Sequence, residues 1–271
     1  MRGGELVLRV CSALVLAPLA LVIAYIGGWL FAAFWAAAAI GIFCEWAFLV
    51  TQSRVRAVLV MGITSIAVAG AVAAADHVAW SIALLLGATL GPLAVPKRSR
   101  RPWLAAGLLY AGAAAVAPIL LRSDPAFGFL SIILLFAVVW STDIVAYLIG
   151  RALGGPKLMP RVSPRKTWSG ALSGTGAAIV AALLVAVAGG LPGTFPLAVL
   201  AFALSVSAQA GDLLESALKR KFGAKDSSNL IPGHGGLMDR LDGFAAASFM
   251  AALIGVVRGG FETPGRGLLL W

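Results

Sequence analysis

Apolar residues run through this chain in long stretches separated by short polar connections. About nine stretches, near 10–27, 29–50, 57–75, 78–96, 103–121, 126–150, 170–190, 193–214 and 243–258, reach or approach the roughly 20 apolar residues that a membrane-crossing helix needs. The last is the shortest. Glycine and alanine recur inside these stretches, as in AGAAAVA at 111–117 and again over 182–190. Small residues let helices approach closely in lipid, so a compact bundle is expected. The pattern predicts an all-α polytopic membrane protein with about nine transmembrane helices.

Composition excludes a water-soluble alternative. Of the 271 residues, 61% are hydrophobic and only 12% are charged, against about 45–50% and about 25% in soluble domains. A core of this size cannot hide that much apolar surface, so the bilayer is the solvent. The start, MRGGELVLR, leads into an apolar segment without a clear small-residue cleavage site, which predicts a retained first span. Cys11 and Cys44 both lie in apolar stretches and read as small core residues, not as a disulfide or a metal pair.

The net charge of +10 would suit nucleic acid, but in a membrane protein placement matters more than the sum. With the N-terminus in the cytoplasm, 18 of the 21 basic residues fall in inside segments. Only Arg122, Arg258 and Arg266 fall outside. That asymmetry predicts a cytoplasmic N-terminus, an outside C-terminus, and no nucleic-acid partner. Two connections are long, 151–169 and 215–242, and both face the cytoplasm in this topology. Long loops tend to carry function. Residues 1–121 are therefore expected to be a scaffold of spans, and 122–271 to be the catalytic region with its two cytoplasmic loops.

The chain has only 11 carboxylates. Glu5, Asp76, Asp124 and Glu262 fall at span edges or in short loops, where solvation is expected. Glu45 lies late in the second span, with a neighbouring helix or the basic loop that follows as partner. Asp143 lies inside the sixth span, roughly 10 Å of helix from its cytoplasmic end. An ionisable group at that depth needs a polar cavity or a partner. Tyr147 is one turn further on the same face, with Ala146 and Gly150 giving room for close packing. Asp212 and Glu215, in GDLLES, share a helical face, and Asp239 and Asp242, in MDRLD, have the same spacing. Two facing pairs of carboxylates repel unless a cation lies between them. Hard oxygen ligands beside phosphates suit Mg²⁺. Charge pairing with Lys219, Arg220 and Arg240 is the plainer reading, reasonable for Glu215 and weaker for the three aspartates.

Between the pairs runs SALKRKFGAKDSSNLIPGHGGLMDR. Pro232 stops a helix, and Gly233, Gly235 and Gly236 permit a turn that aims backbone N–H groups at an anion. Lys219, Arg220, Lys221, Lys225 and Arg240 are cations suited to a polyphosphate. His234 could contact a phosphate, contact the leaving group, or brace the loop. In the other loop, Pro156, Pro160 and Pro164 fix an extended path crowded with positive charge. Attraction to anionic headgroups explains the charge alone; a phosphate pocket better explains the hydroxyls and cations of SPRKT, with Ser163, Lys166 and Thr167.

These segments resemble the phosphatidate cytidylyltransferase, or CDP-diacylglycerol synthase, family. The resemblance runs from Ser216 through Lys219-Arg220, Lys225-Asp226 and PGHGG at 232–236 to Asp239-Arg240-Leu241-Asp242. GDLLES at 211–216, the set Asp143, Ala146, Tyr147 and Gly150, and SPRKTW at 163–168 before Gly170 are similar too. The specific likeness covers about the last half of the chain. Ser169 stands where the family usually has an acid, and Gly243 where serine is common.

The resemblance implies Mg²⁺-dependent transfer of CMP from CTP to phosphatidate, giving CDP-diacylglycerol and pyrophosphate, by a homodimer in the cytoplasmic (inner) membrane. It implies divalent metal at Asp212, Asp239 and Asp242, with a second cation such as K⁺ beside it. Lys219 and Arg240 join those acids as catalytic candidates. Substrate contacts are expected from Asp143, Tyr147, Ser163, Lys166, Thr167, Arg220, Lys225, Asp226, His234, Gly235 and Gly236. A CTP-dependent lipid kinase of the polyprenol or phytol type, or an ether-lipid cytidylyltransferase, is the nearest rival. A transporter fits less well, because the polar residues collect at helix ends and no repeat shows.

Overall fold

The computed structural model describes residues 3–52, 56–94, 98–224, 227–228 and 236–271, with side chains from residue 15 onward except 93 and 94. The helices are α1 (Gly3–Ile26), α2 (Gly28–Thr51), α3 (Arg56–Ala74), α4 (Val78–Ala88), α5 (Arg101–Ser123), α6 (Gly128–Leu153), α7 (Trp168–Ala188), α8 (Thr194–Lys221), α9 (Met238–Gly259) and α10 (Pro264–Leu269). Each expected span overlaps one of α1 to α9. Among the residues with described side chains, seven helices are long and apolar enough to cross a membrane; the part Val15–Ile26 of α1, and α4, are shorter. The chain is an all-α membrane protein. The stretch expected over 78–96 is helical only to Ala88, and a 3₁₀ turn, Gly91–Ala94, with Pro92 follows it.

The chain divides into two compact units, Met1–Ser123 with Phe222–Leu241, and Asp124–Lys221 with Asp242–Trp271. In the first, α2 packs on α3 and α5, and α3 on α4. Trp46 donates its indole N–H to the Trp103 carbonyl at 2.8 Å and lies against Tyr110. Arg122 donates to the carbonyls of Ala24 and Tyr25. It thereby satisfies the open end of α1 with a cation where the helix dipole favours one.

In the second unit α6 packs along α7, and α7 on α8. The fit is close because small residues face each other: a Cβ at Gly170 would lie 2.6 Å from the Ala146 carbonyl oxygen. The buried hydroxyls of Thr142 and Ser205 meet at 2.9 Å, and Gln209 donates to Thr175 at 2.9 Å. These pairings satisfy polar groups that would otherwise be costly in an apolar surround. The expected extended path after Pro156 is an antiparallel hairpin of β1 (Lys157–Met159) and β2 (Ser163–Thr167).

Asp124 departs from its expected solvation. It is 1% exposed. One carboxylate oxygen accepts the N–H groups of Ala126 and Phe127 at the start of α6, and the other accepts the Arg266 N–H of α10. Two open helix N-termini supply the donors that water would otherwise provide at a span edge.

Candidate active site

In the second unit, α8 and α9 cross at Gly211. A Cβ there would lie 2.6 Å from the Asp242 carbonyl oxygen and 2.6 Å from the Ala246 Cβ. Only glycine allows that approach, and it brings Asp212 beside Asp242. Glu215, one turn along α8, joins them. One carboxylate oxygen from each of Asp212, Glu215 and Asp242 lies within 4.8 Å of the others. Glu215 is 3% exposed. Three carboxylates this close repel strongly unless cations lie among them.

Two lysines answer part of that charge. Lys166, on β2, forms an ion pair with Asp212 Oδ2. Lys219 Nζ lies 2.6 Å from Glu215 Oε2, one turn apart on α8. Lys166 is placed by the end of the hairpin: Thr167 follows it as the cap of α7, accepting the Gly170 N–H. Ser169, the departure from the usual acid, donates to the Gly154 carbonyl and so ties the hairpin base to the end of α6. Tyr147 accepts a hydrogen bond from Arg151 at 3.0 Å, and Arg220 reaches toward the Val162 carbonyl at 3.5 Å. Three hard oxygen donors so gathered fit a small divalent cation, which prefers carboxylate and water ligands.

The first unit holds a different acid pair. Glu45, on α2 and 6% exposed, accepts hydrogen bonds from the hydroxyls of Ser227 and Ser228 and from the N–H groups of Leu237 and Met238, at 2.6–2.9 Å. Asp239 Oδ2 accepts from Ser227 N and Gly236 N, at 3.1 and 2.9 Å, and shares the single Ser227 hydroxyl proton with Glu45, the hydroxyl oxygen lying 2.8 Å away. A Cβ at Gly236 would run into Ser227 Oγ and Glu45 Oε2. The two carboxylates therefore fasten both ends of the glycine-rich loop, using the open N–H groups at the start of α9.

Of the residues expected from sequence, the second unit brings together Asp212, Asp242 and Lys166, with Lys219 on Glu215, while Asp143 lies on α6 outside the acidic cluster. Ser163 starts β2. Arg240 is exposed on the first turn of α9. Lys225, Asp226, His234 and Gly235 lie outside the described residues. Glu215 is the charge partner of Lys219 that its sequence suggests, and it also completes the acidic cluster. Its signal was the three-residue spacing from Asp212. Glu45 carried a weaker one, a lone acid late in an apolar stretch, with nothing in the sequence to identify donors some 180 residues away.

Comparison with known proteins gives a family. The model of the "Cytidylyltransferase family" matches residues 7–257. A protein named phosphatidate cytidylyltransferase from Brucella abortus is 46% identical over 250 residues, covering 92% of this chain and 93% of its own. Proteins of the same name from Rickettsia bellii and Bacillus subtilis are 42% and 43% identical over 134 and 125 residues. Each covers 46% of this chain, and 56% and 46% of its own length respectively.

Proposed function

The chain belongs to the cytidylyltransferase family, and we propose that it transfers CMP from CTP to phosphatidate, forming CDP-diacylglycerol and pyrophosphate for phospholipid synthesis. The observation that carries this reading is the set of three carboxylates, Asp212, Glu215 and Asp242, flanked by Lys166 and Lys219. Acids and cations interleaved at helix ends suit a reaction whose difficulty is bringing anions together.

A phosphate oxygen of phosphatidate forms a bond to the α-phosphorus of CTP. The bond from that phosphorus to the bridging oxygen breaks, and pyrophosphate leaves with the electron pair. The nucleophile is already an anion, so no strong base is required. Asp212, Glu215 and Asp242 would hold a divalent ion such as Mg²⁺. Asp239 is proposed as a further metal ligand on the family resemblance alone, and a K⁺ ion is the candidate second cation. The metal's contribution would be to neutralise charge on the phosphates. Lys219, Arg220, Lys225, Arg240 and the turn with His234, Gly235 and Gly236 would bind the pyrophosphate end, with Asp226 beside Lys225. Asp143, Tyr147, Ser163, Lys166 and Thr167 would line the lipid phosphate side.

The setting proposed for this chemistry is a bacterial inner membrane, crossed nine times by α1 to α9, with the N-terminus and both long loops in the cytoplasm and the C-terminus outside. Residues 1–121 serve as scaffold and 122–271 as the catalytic region, in a homodimer. Phosphatidate enters laterally from the bilayer, which accounts for a soluble nucleotide being used by a membrane protein. Purified protein given labelled CTP, Mg²⁺ and phosphatidate should yield labelled lipid and one pyrophosphate per turnover. Release of CDP instead would identify a lipid kinase, and no labelled lipid from folded protein would overturn the reading.

A further inference from the structure

The two lysines reach the acidic cluster by different routes. Lys219 lies one turn from Glu215 on the same helix, so that pair is local. Lys166 comes from a separate element, β2, and its ammonium contacts Oδ2 of Asp212, an acid of the metal cluster. An ammonium and a divalent ion held by one carboxylate group, whichever oxygen each takes, lie within a few ångströms of each other and repel strongly. Lysine is also a compact point charge on a long flexible stem, able to change partners with little backbone movement.

On the metal reading of Asp212 given above, we infer that Lys166 is an exchangeable counter-ion. It holds Asp212 until a divalent ion takes its place, and the ammonium so released engages the substrate phosphate. Metal loading and phosphate binding each require the Lys166–Asp212 pair to open. When both bind, the pair opens once, so each tightens the other by the same factor. The cluster thus resists metal in the absence of substrate and accepts it when substrate arrives.

The test is Mn²⁺ titrated into the purified full-length protein in detergent, with free Mn²⁺ followed by electron paramagnetic resonance and neither nucleotide nor lipid present. Lys166→Met is expected to bind Mn²⁺ at least about fivefold more tightly than wild type, the low end of typical coupling between sites. Arg165→Met removes an exposed charge from the next residue of β2, on the opposite face; its affinity should stay within about twofold of wild type on the same scale. Dioleoyl phosphatidate in mixed detergent micelles, after subtracting the Mn²⁺ taken up by the same micelles without protein, should tighten Mn²⁺ binding in wild type and do so less in Lys166→Met. Equal or weaker Mn²⁺ binding by Lys166→Met, or an undiminished lipid effect in it, overturns the exchange. Asp212→Asn separates the two levels. If it binds Mn²⁺ like wild type, the metal reading fails and the exchange falls with it. If it loses Mn²⁺ while Lys166→Met matches wild type, only the exchange fails. Helical circular dichroism and monodisperse elution establish that each variant is folded.

Discussion

The carboxylate of Glu45, on α2, accepts the backbone N–H of Met238, the first residue of α9, at 2.8 Å. The same carboxylate accepts three more donors, from Leu237, Ser227 and Ser228. An acid in a membrane-spanning helix is costly, and here four hydrogen bonds offset that cost.

Removing the acceptor strands those donors, at about 1–3 kcal/mol for a buried group left unsatisfied. Glu45→Ala should therefore lower the thermal unfolding temperature in detergent and reduce turnover, with Glu45→Gln milder because its amide keeps one acceptor oxygen. An Ala variant with wild-type melting and activity would show that the loop ends are held by something else.

Gly211 sets the spacing of α8 and α9. Gly211→Ala must push its new methyl against Asp242 O and Ala246, an overpacking that typically costs about 1–3 kcal/mol. Turnover should fall at least about tenfold, the equivalent of roughly 1.4 kcal/mol at the transition state. Gly176, where a Cβ would meet nothing within 4 Å, is the matched control. Gly176→Ala should keep its activity and gain slightly in stability, since alanine is the better helix former. Equal behaviour of the two variants would remove the close crossing from the account.

Asp212→Asn and Asp242→Asn keep shape while removing charge from the cluster. Each should cut turnover by about a hundredfold or more, given the several kcal/mol that a bound metal contributes to phosphate chemistry. Chelation with EDTA should silence the wild type, and added Mg²⁺ should restore it. Steady-state assays on variants with unchanged circular dichroism decide this.

Orientation is open to direct labelling. With Cys11 and Cys44 replaced by alanine, Arg161→Cys should react with a membrane-impermeant maleimide only in inside-out vesicles, and Glu262→Cys only in right-side-out cells. The same sidedness for both positions would break the nine-span topology.

Much of this protein is written locally. Apolar run length located α1 to α9, because lipid forces every spanning backbone to satisfy its own hydrogen bonds and leaves helices as the available solution. The three-residue spacing of Asp212 from Glu215 put both on one helical face, and both join the acidic cluster. Family resemblance in the last half points to the chemistry without reference to the fold.

Partners across elements were not legible. The sequence placed acids and cations in the same loops, but which acid meets which cation depends on where helices cross. Lys166 and Asp212 are 46 residues apart and meet because a hairpin turns back toward α8. Glu45 has no neighbour in sequence that explains it, and Asp124, in a short loop, is buried because the starts of α6 and α10 both meet it. Helix formation is dictated by contacts within a few residues of each position. Charge compensation is settled by whatever the folded chain brings within a few ångströms, and only the tertiary structure decides that.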